Sequence, residues 1–392
     1  MESRGEFLNA LNFKKNYPVP NWEFAYWYDT VQRWYKEGLP KENPSSKIEY
    51  GQWIAGEAYP SPDVFYDNLN IYDIDVHNFF GFDERAHSVA VDTGPIPLFE
   101  KEIFFEDNEN ITYKREDGKI VKTRKDGSSM PQFISYPVKN KKDFNNIKER
   151  FNPDSIKRFP KKFDELIIEY NKRTYPLQIT GGYYALGFFS IIRELVGLEA
   201  GLYLFYDDPV LVYEILDFFT DYYIKLYSKI VSRVKVDYIL IWEDMAFKNG
   251  PLVSPNIFKK FLLPFYKKFT FRMKEFNVEH FFVDTDGNFE VLIPLFVEGG
   301  VTGFTPFEVQ SGLDIEKIRE IYPNLIIMGG IDKKVLSKNK ESILKELEKV
   351  KRMLAKGGYI PYTDHMVPPE VSFDNYKFYR FELKKIIDDN CK

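Results

Sequence analysis

From Leu177 onward the chain repeats one theme: a short apolar run, a polar or glycine-bearing turn, then an amphipathic stretch. That alternation is the grammar of βα units, and it commits the chain to a parallel sheet covered by helices. Six runs carry it: LQITGG ending near Gly182, VDYILIWED at Asp244, EHFFVDTDG near Gly287, GVTGFTPFE at Glu308, NLIIMGGID at Asp332 and GGYIPYTDH at His365. The stretches between them start and stop as helices do. Asp208-Pro209, Ser254-Pro255 and Ser372 supply N-terminal caps, and Gly357-Gly358 stops ESILKELEKVKRMLAK. Two earlier runs, at 22–27 (WEFAYW) and 69–73, bring the strands to eight. Eight parallel units, with no GxGxxG or Walker-type loop after any strand, predict a closed (β/α)8 TIM barrel and not an open doubly wound sheet.

In the N-terminal third, residues 103–124 turn at Asp117-Gly118 and read as a β-hairpin, with 127–137 as a further extended piece. Residues 98–137 are therefore expected to be an insertion within a single α/β domain spanning 1–392.

Charge and cysteine usage narrow the function. Lys+Arg 54 against Asp+Glu 59 gives a net charge of −5, which excludes a basic nucleic-acid surface as the organising feature. Cys391 is the sole cysteine, so neither a disulfide framework, a thiolate-rich zinc site nor an internal cysteine nucleophile is available. No apolar run reaches the roughly 18 residues needed to span a bilayer, and MESRGEFLNALNFKKN lacks a secretory pattern. A cytoplasmic protein with no membrane partner is expected.

In a barrel of this type chemistry belongs at the C-terminal strand ends. Here those ends are acidic: Glu243-Asp244, Asp284, Asp286, Glu308, Asp332 and Asp364-His365. Crowded carboxylates raise one another's pKa unless a cation, a basic side chain or a shared proton offsets them. Asp284 and Asp286 lie two apart and so share one face of a strand, while only one of Glu243 and Asp244 can point inward. Among the four histidines, His77, His87 and His280 read as structural; His365 ends a strand and is expected to act as general acid/base or metal ligand. Aromatic residues make up 17% of the chain, and Trp22, Phe24, Tyr26, Tyr183, Tyr184, Phe189, Trp242 and Tyr362 fall near the same strand ends, so a ring-lined substrate pocket is expected.

Several motifs from Thr180 to about Ile386 resemble the uroporphyrinogen decarboxylase superfamily. These are GGYYALGFF, the EDMA and GPLVSP block, VDTDGN, GGID and the final DH with its following PP and NY; WEFAYWYDTVQRWYKEGLP is similar to a divergent branch. The resemblance implies a single (β/α)8 barrel, a homodimer, and one of two activities. The decarboxylase holds an octa-anionic tetrapyrrole with arginines and an aspartate, for which Asp73 or Asp75 would stand. EFAYWYDT carries no arginine where that enzyme's hallmark motif has one. The methyltransferase branch serves corrinoid proteins and binds zinc. Its ligand positions fall on Asp284, Asp286 and His365, with Glu243 and Glu308 completing or orienting the set. The resemblance thus favours a metal-assisted, corrinoid-dependent methyltransferase acting with a partner corrinoid protein, in which Asp73, Glu243 and His365 are catalytic. A tetrapyrrole decarboxylase and a catalytically silent binding barrel are the alternatives.

Overall fold

The computed structural model describes residues 2–42, 74–125, 131–180 and 182–390. In chain order the strands are β1 (His87–Ser88), β2 (Glu102–Glu106), β3 (Asn110–Lys114), β4 (Ile120–Arg124), β5 (Gln132–Ser135), β6 (Leu177–Ile179), β7 (Tyr238–Trp242), β8 (Ala246–Phe247), β9 (Gly250–Pro251), β10 (Phe281–Asp284), β11 (Gly303–Thr305), β12 (Ile326–Met328) and β13 (Tyr359–Ile360). All six runs identified in the sequence are strands of one curled parallel sheet, ordered β1-β6-β7-β10-β11-β12-β13. FFV of β10 and IIM of β12 are apolar on both faces because helices cover one side of such a sheet and its own interior fills the other.

The eighth position is filled without a ladder. Residues 21–27 lie extended across the gap between the two sheet edges. Tyr26 bridges Val367 in parallel, and the Trp27 and Val367 amides donate to the Val367 and Ala25 carbonyls. On the other side the Asp83 amide donates to the Asn21 carbonyl, and the Arg85 guanidinium donates to the carbonyls of Glu23 and Phe24. The α/β architecture is therefore TIM-like, with seven laddered strands among the described residues. The expected strand at 69–73 lies outside the described residues. The strand the sequence reading passed over is β1, a two-residue ladder behind the charged GFDERAH run.

Helix starts follow the expected caps. Asp208, Ser254 and Ser372 accept the amides of Leu211, Ile257 and Asn375 at 3.0, 3.2 and 3.2 Å. At the end of the helix Lys340–Lys356, Gly357 has φ +75°, and a Cβ there would lie 2.9 Å from the Phe13 carbonyl oxygen, so both conformation and space select glycine.

Residues 103–124 turn over Asp117 and Gly118 as expected, but they belong to a four-stranded antiparallel sheet, β2-β3-β4-β5, instead of an isolated hairpin. Two strands alone bury too little to persist, and the added strands supply the missing pairing.

Most of the aromatic excess is spent in the core. Trp34 stacks on Tyr376 at 4.3 Å, and Tyr222, Tyr223 and Tyr227 line the buried face of the helix Pro209–Val231. Buried phenols need acceptors, and Tyr222 and Tyr223 donate to the carbonyls of Thr93 and Tyr184. The N-terminal helix Ser3–Leu11 inserts Phe7 against Trp22 and Tyr238, at centroid distances of 5.4 and 5.3 Å, packing against the N-terminal end of β7. Among the described residues no helix is long and apolar enough to cross a membrane.

Candidate active site

Register places Trp242, Asp284 and Thr305 side by side on β7, β10 and β11. Partners in a parallel ladder present their side chains to the same face, so these three share one wall at the C-terminal end of the sheet. Asp284 is deep in the structure yet still partly exposed, and its carboxyl has no hydrogen-bond or ion-pair partner among the described residues. Burial pushes that carboxyl well above the usual carboxylate range, and the negative charges of Asp286 and Asp244 push it further. Asp284 therefore holds its proton to a higher pH than a free carboxyl does.

Its neighbours divide the remaining charge. Asp286 Oδ2 lies 3.5 Å from His365 Nε2, and the imidazole packs on Phe24 at 5.3 Å. Phe24 also approaches Tyr362 at 6.1 Å, whose hydroxyl is 2.7 Å from Thr305 Oγ1. Asp244 adopts φ +49°, a left-handed turn that brings it to Arg193: the guanidinium donates to its carbonyl at 3.1 Å and its carboxylate at 3.3 Å. Burial raises the Asp244 carboxyl while Arg193 opposes the rise. Arg193 lies 4.7 Å over the Trp242 ring. The turn after Asp286 requires glycine, because Gly287 has φ +74° and any Cβ would strike the Ala246 carbonyl.

Glu243 corrects the sequence reading. It is fully buried on the opposite face, accepting the amides of Phe188, Phe189 and Ser190 at 2.8, 2.8 and 2.9 Å and the hydroxyl of Tyr266. That is a carboxylate anchored in the first turn of the helix Phe188–Val196, where open amides and the helix dipole favour it. It positions the β7 end and does not face the mouth.

Glu308 is likewise occupied, by the Gly287 amide at 3.2 Å, Ser311 Oγ at 3.0 Å and Lys333 Nζ at 3.3 Å. Asp364, fully buried, accepts the amides of Val309 and Lys333, both at 3.0 Å. Together these groups tie the loops after β10, β11, β12 and β13 into one rim. Asp332 accepts from Gln310 and from the Lys334 amide, a turn-ordering role.

Among the described residues no three His, Cys, Asp or Glu side chains come together as a metal-binding group. The expected set of Asp284, Asp286, His365 and Glu308 therefore does not fit zinc here, chiefly because Lys333 and Ser311 already hold Glu308.

Of the expected substrate-binding rings, Trp242, Tyr183 and Tyr362 stand at strand ends; Tyr183 carries the Arg115 guanidinium at 5.4 Å. Trp22 packs on Phe7 near the N-terminal end of β7. Tyr26 is sealed against Trp34 with its hydroxyl 3.0 Å from that of Tyr376, and Tyr184 is buried with its hydroxyl on the Asp117 carbonyl at 2.7 Å. Phe189 is buried within its helix. These four are core residues, because a ring's position near a strand in sequence does not fix which face it takes. Asp75 is buried on the helix Ile74–Phe80, held by Tyr35 Oη and the Glu42 amide at 2.9 and 3.1 Å; Asp73 lies outside the described residues.

Sequence reasoning missed Asp92, which follows β1 at the same end of the sheet. Its carboxyl accepts the Gly94 amide at 2.8 Å and is raised by burial. Arg193 and Lys333 were also missed, since nothing in a helix or turn pattern reveals which carboxylate a cation meets.

Asp364 gives a pH test. Burial raises its carboxyl from 3.8 to about 6, with Lys333 opposing. The folded state thus holds this proton more tightly than the unfolded state. The associated stability is fully present below about pH 4 and is lost as pH rises through about 6. Between pH 4 and pH 7 wild type should lose on the order of 3 kcal/mol more than Asp364→Asn, measured by urea unfolding at each pH.

Fold and site together define a TIM-like α/β protein with an acidic, partly aromatic site at the C-terminal end of its sheet. The family model described as uroporphyrinogen decarboxylase (URO-D) matches residues 121–385, and the chain belongs to that family. Among solved structures it is similar to a methyltransferase from Methanosarcina mazei, with TM-score 0.54 and 16% sequence identity over 94% of this chain and 99% of that one. At that identity the likeness establishes the fold. No curated protein sequence matches the chain.

Proposed function

We propose that the protein is a methyltransferase that moves a methyl group from a small methylated compound, of aryl ether or amine type, to a corrinoid carried by a partner protein. The carrying observation is Asp284, an acid raised by burial, without a partner among the described residues, in register with Trp242 and beside the Asp286–His365 pair. Breaking a methyl–oxygen or methyl–nitrogen bond leaves the electron pair on the heteroatom, and an acid poised there protonates the leaving group as the bond breaks. The corrinoid, as co-substrate, supplies the electron pair for the new bond to carbon. Asp284 gives the proton, His365 with Asp286 resets it from solvent, and Trp242 and Phe24 orient the methyl group. Family membership and the methyltransferase neighbour support the reading.

The family description also names a decarboxylation. An octa-anionic tetrapyrrole is disfavoured because Asp244, Asp286 and Glu308 stand at the mouth while the cations beside them, Arg193 and Lys333, are already paired. Purified protein should demethylate members of a panel of methoxyarenes and methylated amines when reduced cobalamin is supplied, and should form no coproporphyrinogen from uroporphyrinogen. Robust coproporphyrinogen formation would overturn the proposal.

A further inference from the structure

The barrel interior stays open well below the mouth. Register pairs Gln178 with Tyr238, and alternation puts Leu240 and Trp242 on the same face of β7, opposite the face from which Glu243 meets its helix. These side chains therefore point into the barrel. Gln178, Leu240, Trp242 and Asp284 are all partly exposed there, whereas the outward-facing Leu177, Ile179, Ile239, Ile241 and Val283 are fully buried. A (β/α)8 interior is ordinarily packed shut. Here a shaft runs from the level of Trp242 and Asp284 down to that of Gln178, about 13 Å along β7 at about 3.3 Å per residue. Its floor is polar. Gln178 Nε2 donates to Ser88 Oγ at 3.2 Å across the β1–β6 pairing, and the buried Gln178 Oε1 has no donor among the described residues. The pair thus keeps unused hydrogen-bonding capacity in the serine hydroxyl and the amide, and the amide can turn either end toward a ligand.

A wholly apolar ligand reaching this floor would leave those groups dry and unpaired, which costs more than a hydrogen bond returns. A charged one would fare worse, since no counter-charge touches the pair among the described residues. From this geometry we infer that the substrate has two unlike ends: the methylated heteroatom lies at Asp284, an apolar body runs past Leu240, and an uncharged hydrogen-bonding group, a hydroxyl or carboxamide, ends on Gln178 and Ser88. The inference deepens the methyl-transfer reading, on which it rests for the end that carries the methyl group. It makes Gln178 and Ser88 specificity residues, remote from the acidic mouth.

Isothermal titration of the full chain with 4-methoxybenzyl alcohol, against 4-methylanisole, which lacks only the hydroxyl, tests this. The alcohol should bind saturably and at least about tenfold more tightly. Gln178→Leu and, separately, Ser88→Ala should each bring the two affinities to within about twofold of one another. Because each variant is judged by the ratio of two ligands on the same protein, a folding defect cannot imitate the result. Leu240→Phe, which narrows the shaft, should weaken the alcohol about tenfold or more. Equal affinity of wild type for the two ligands, no measurable binding of the alcohol, a preference that survives both floor substitutions, or indifference to Leu240→Phe would overturn the inference. The two readings fail separately. Hydroxyl-dependent binding without methyl transfer to reduced cobalamin would defeat the methyl-transfer reading and uphold the shaft. Methyl transfer from both ligands with equal kcat/KM would do the reverse.

Discussion

Asp284→Asn is expected to lower kcat/KM by at least about 100-fold, the scale of losing a positioned acid. Asparagine keeps the shape of the side chain and removes both its charge and its titratable proton. Nothing in the structure depends on the carboxyl: no hydrogen bond or ion pair to it exists among the described residues, and its negative neighbours Asp244 and Asp286 disfavour its charge. The variant should therefore unfold at the same urea concentration as wild type or a higher one, a gain of about 1 kcal/mol at most. Lost activity with retained or increased stability distinguishes a site residue from a structural one. Equal loss of both would mean that Asp284 holds the sheet together. Asp284→Glu, longer by one methylene, should restore little, since the acid would be misplaced by more than the reaction tolerates.

Arg380→Met should be the most destabilising single change in the barrel wall, at about 3–5 kcal/mol. Arg380 lies buried on the helix Phe373–Asp389. Its guanidinium donates to the Trp22 carbonyl at 3.0 Å and to Glu23 Oε2 at 3.2 Å, and also to Asn21 Oδ1. Glu23, equally buried, accepts from the Thr363 amide and hydroxyl at 2.9 and 2.6 Å and from Tyr376 Oη at 3.1 Å. This network fastens residues 21–27 to the chain after β13, taking the place of the backbone ladder that the eighth strand lacks. Removing the arginine strands the Glu23 charge and leaves two acceptors open. Glu23→Gln combined with Arg380→Met removes the stranded charge and should recover a large part of the loss. Urea unfolding of the three proteins measures it, and a double variant no more stable than Arg380→Met alone would show that the pair is not the source.

What the sequence made legible follows from which forces are local. The six runs from Leu177 onward were readable as strands because burial on both faces leaves a continuous apolar mark, and the caps at Asp208, Ser254 and Ser372 because a cap acts on amides two or three residues away. β1 was not readable: His87–Ser88 is two residues long and ends a charged run, and only pairing with β6 makes it a strand. The acidic strand ends were visible as residues but not as roles. Glu243 and Asp244 are adjacent, and alternation required that one turn away. Which one did was decided by the amides of the helix Phe188–Val196, more than fifty residues earlier in the chain. The same limit explains Glu308, whose partner Lys333 lies twenty-five residues on. The aromatic rings misled for the opposite reason, since Tyr26 and Tyr184 lie next to mouth residues in sequence and still point into the core.

The proposed activity is transfer of an intact methyl group at the acidic, ring-walled end of the sheet. The most direct measurement supplies trideuteromethyl-labelled substrate and reduced cobalamin to the purified protein and determines the mass of the methylated cobalamin formed. All three deuterons should arrive together on one carbon, and Asp284→Asn should abolish their arrival. Methylated cobalamin without label, or label retained wholly in the starting compound while the protein decarboxylates uroporphyrinogen, would contradict it.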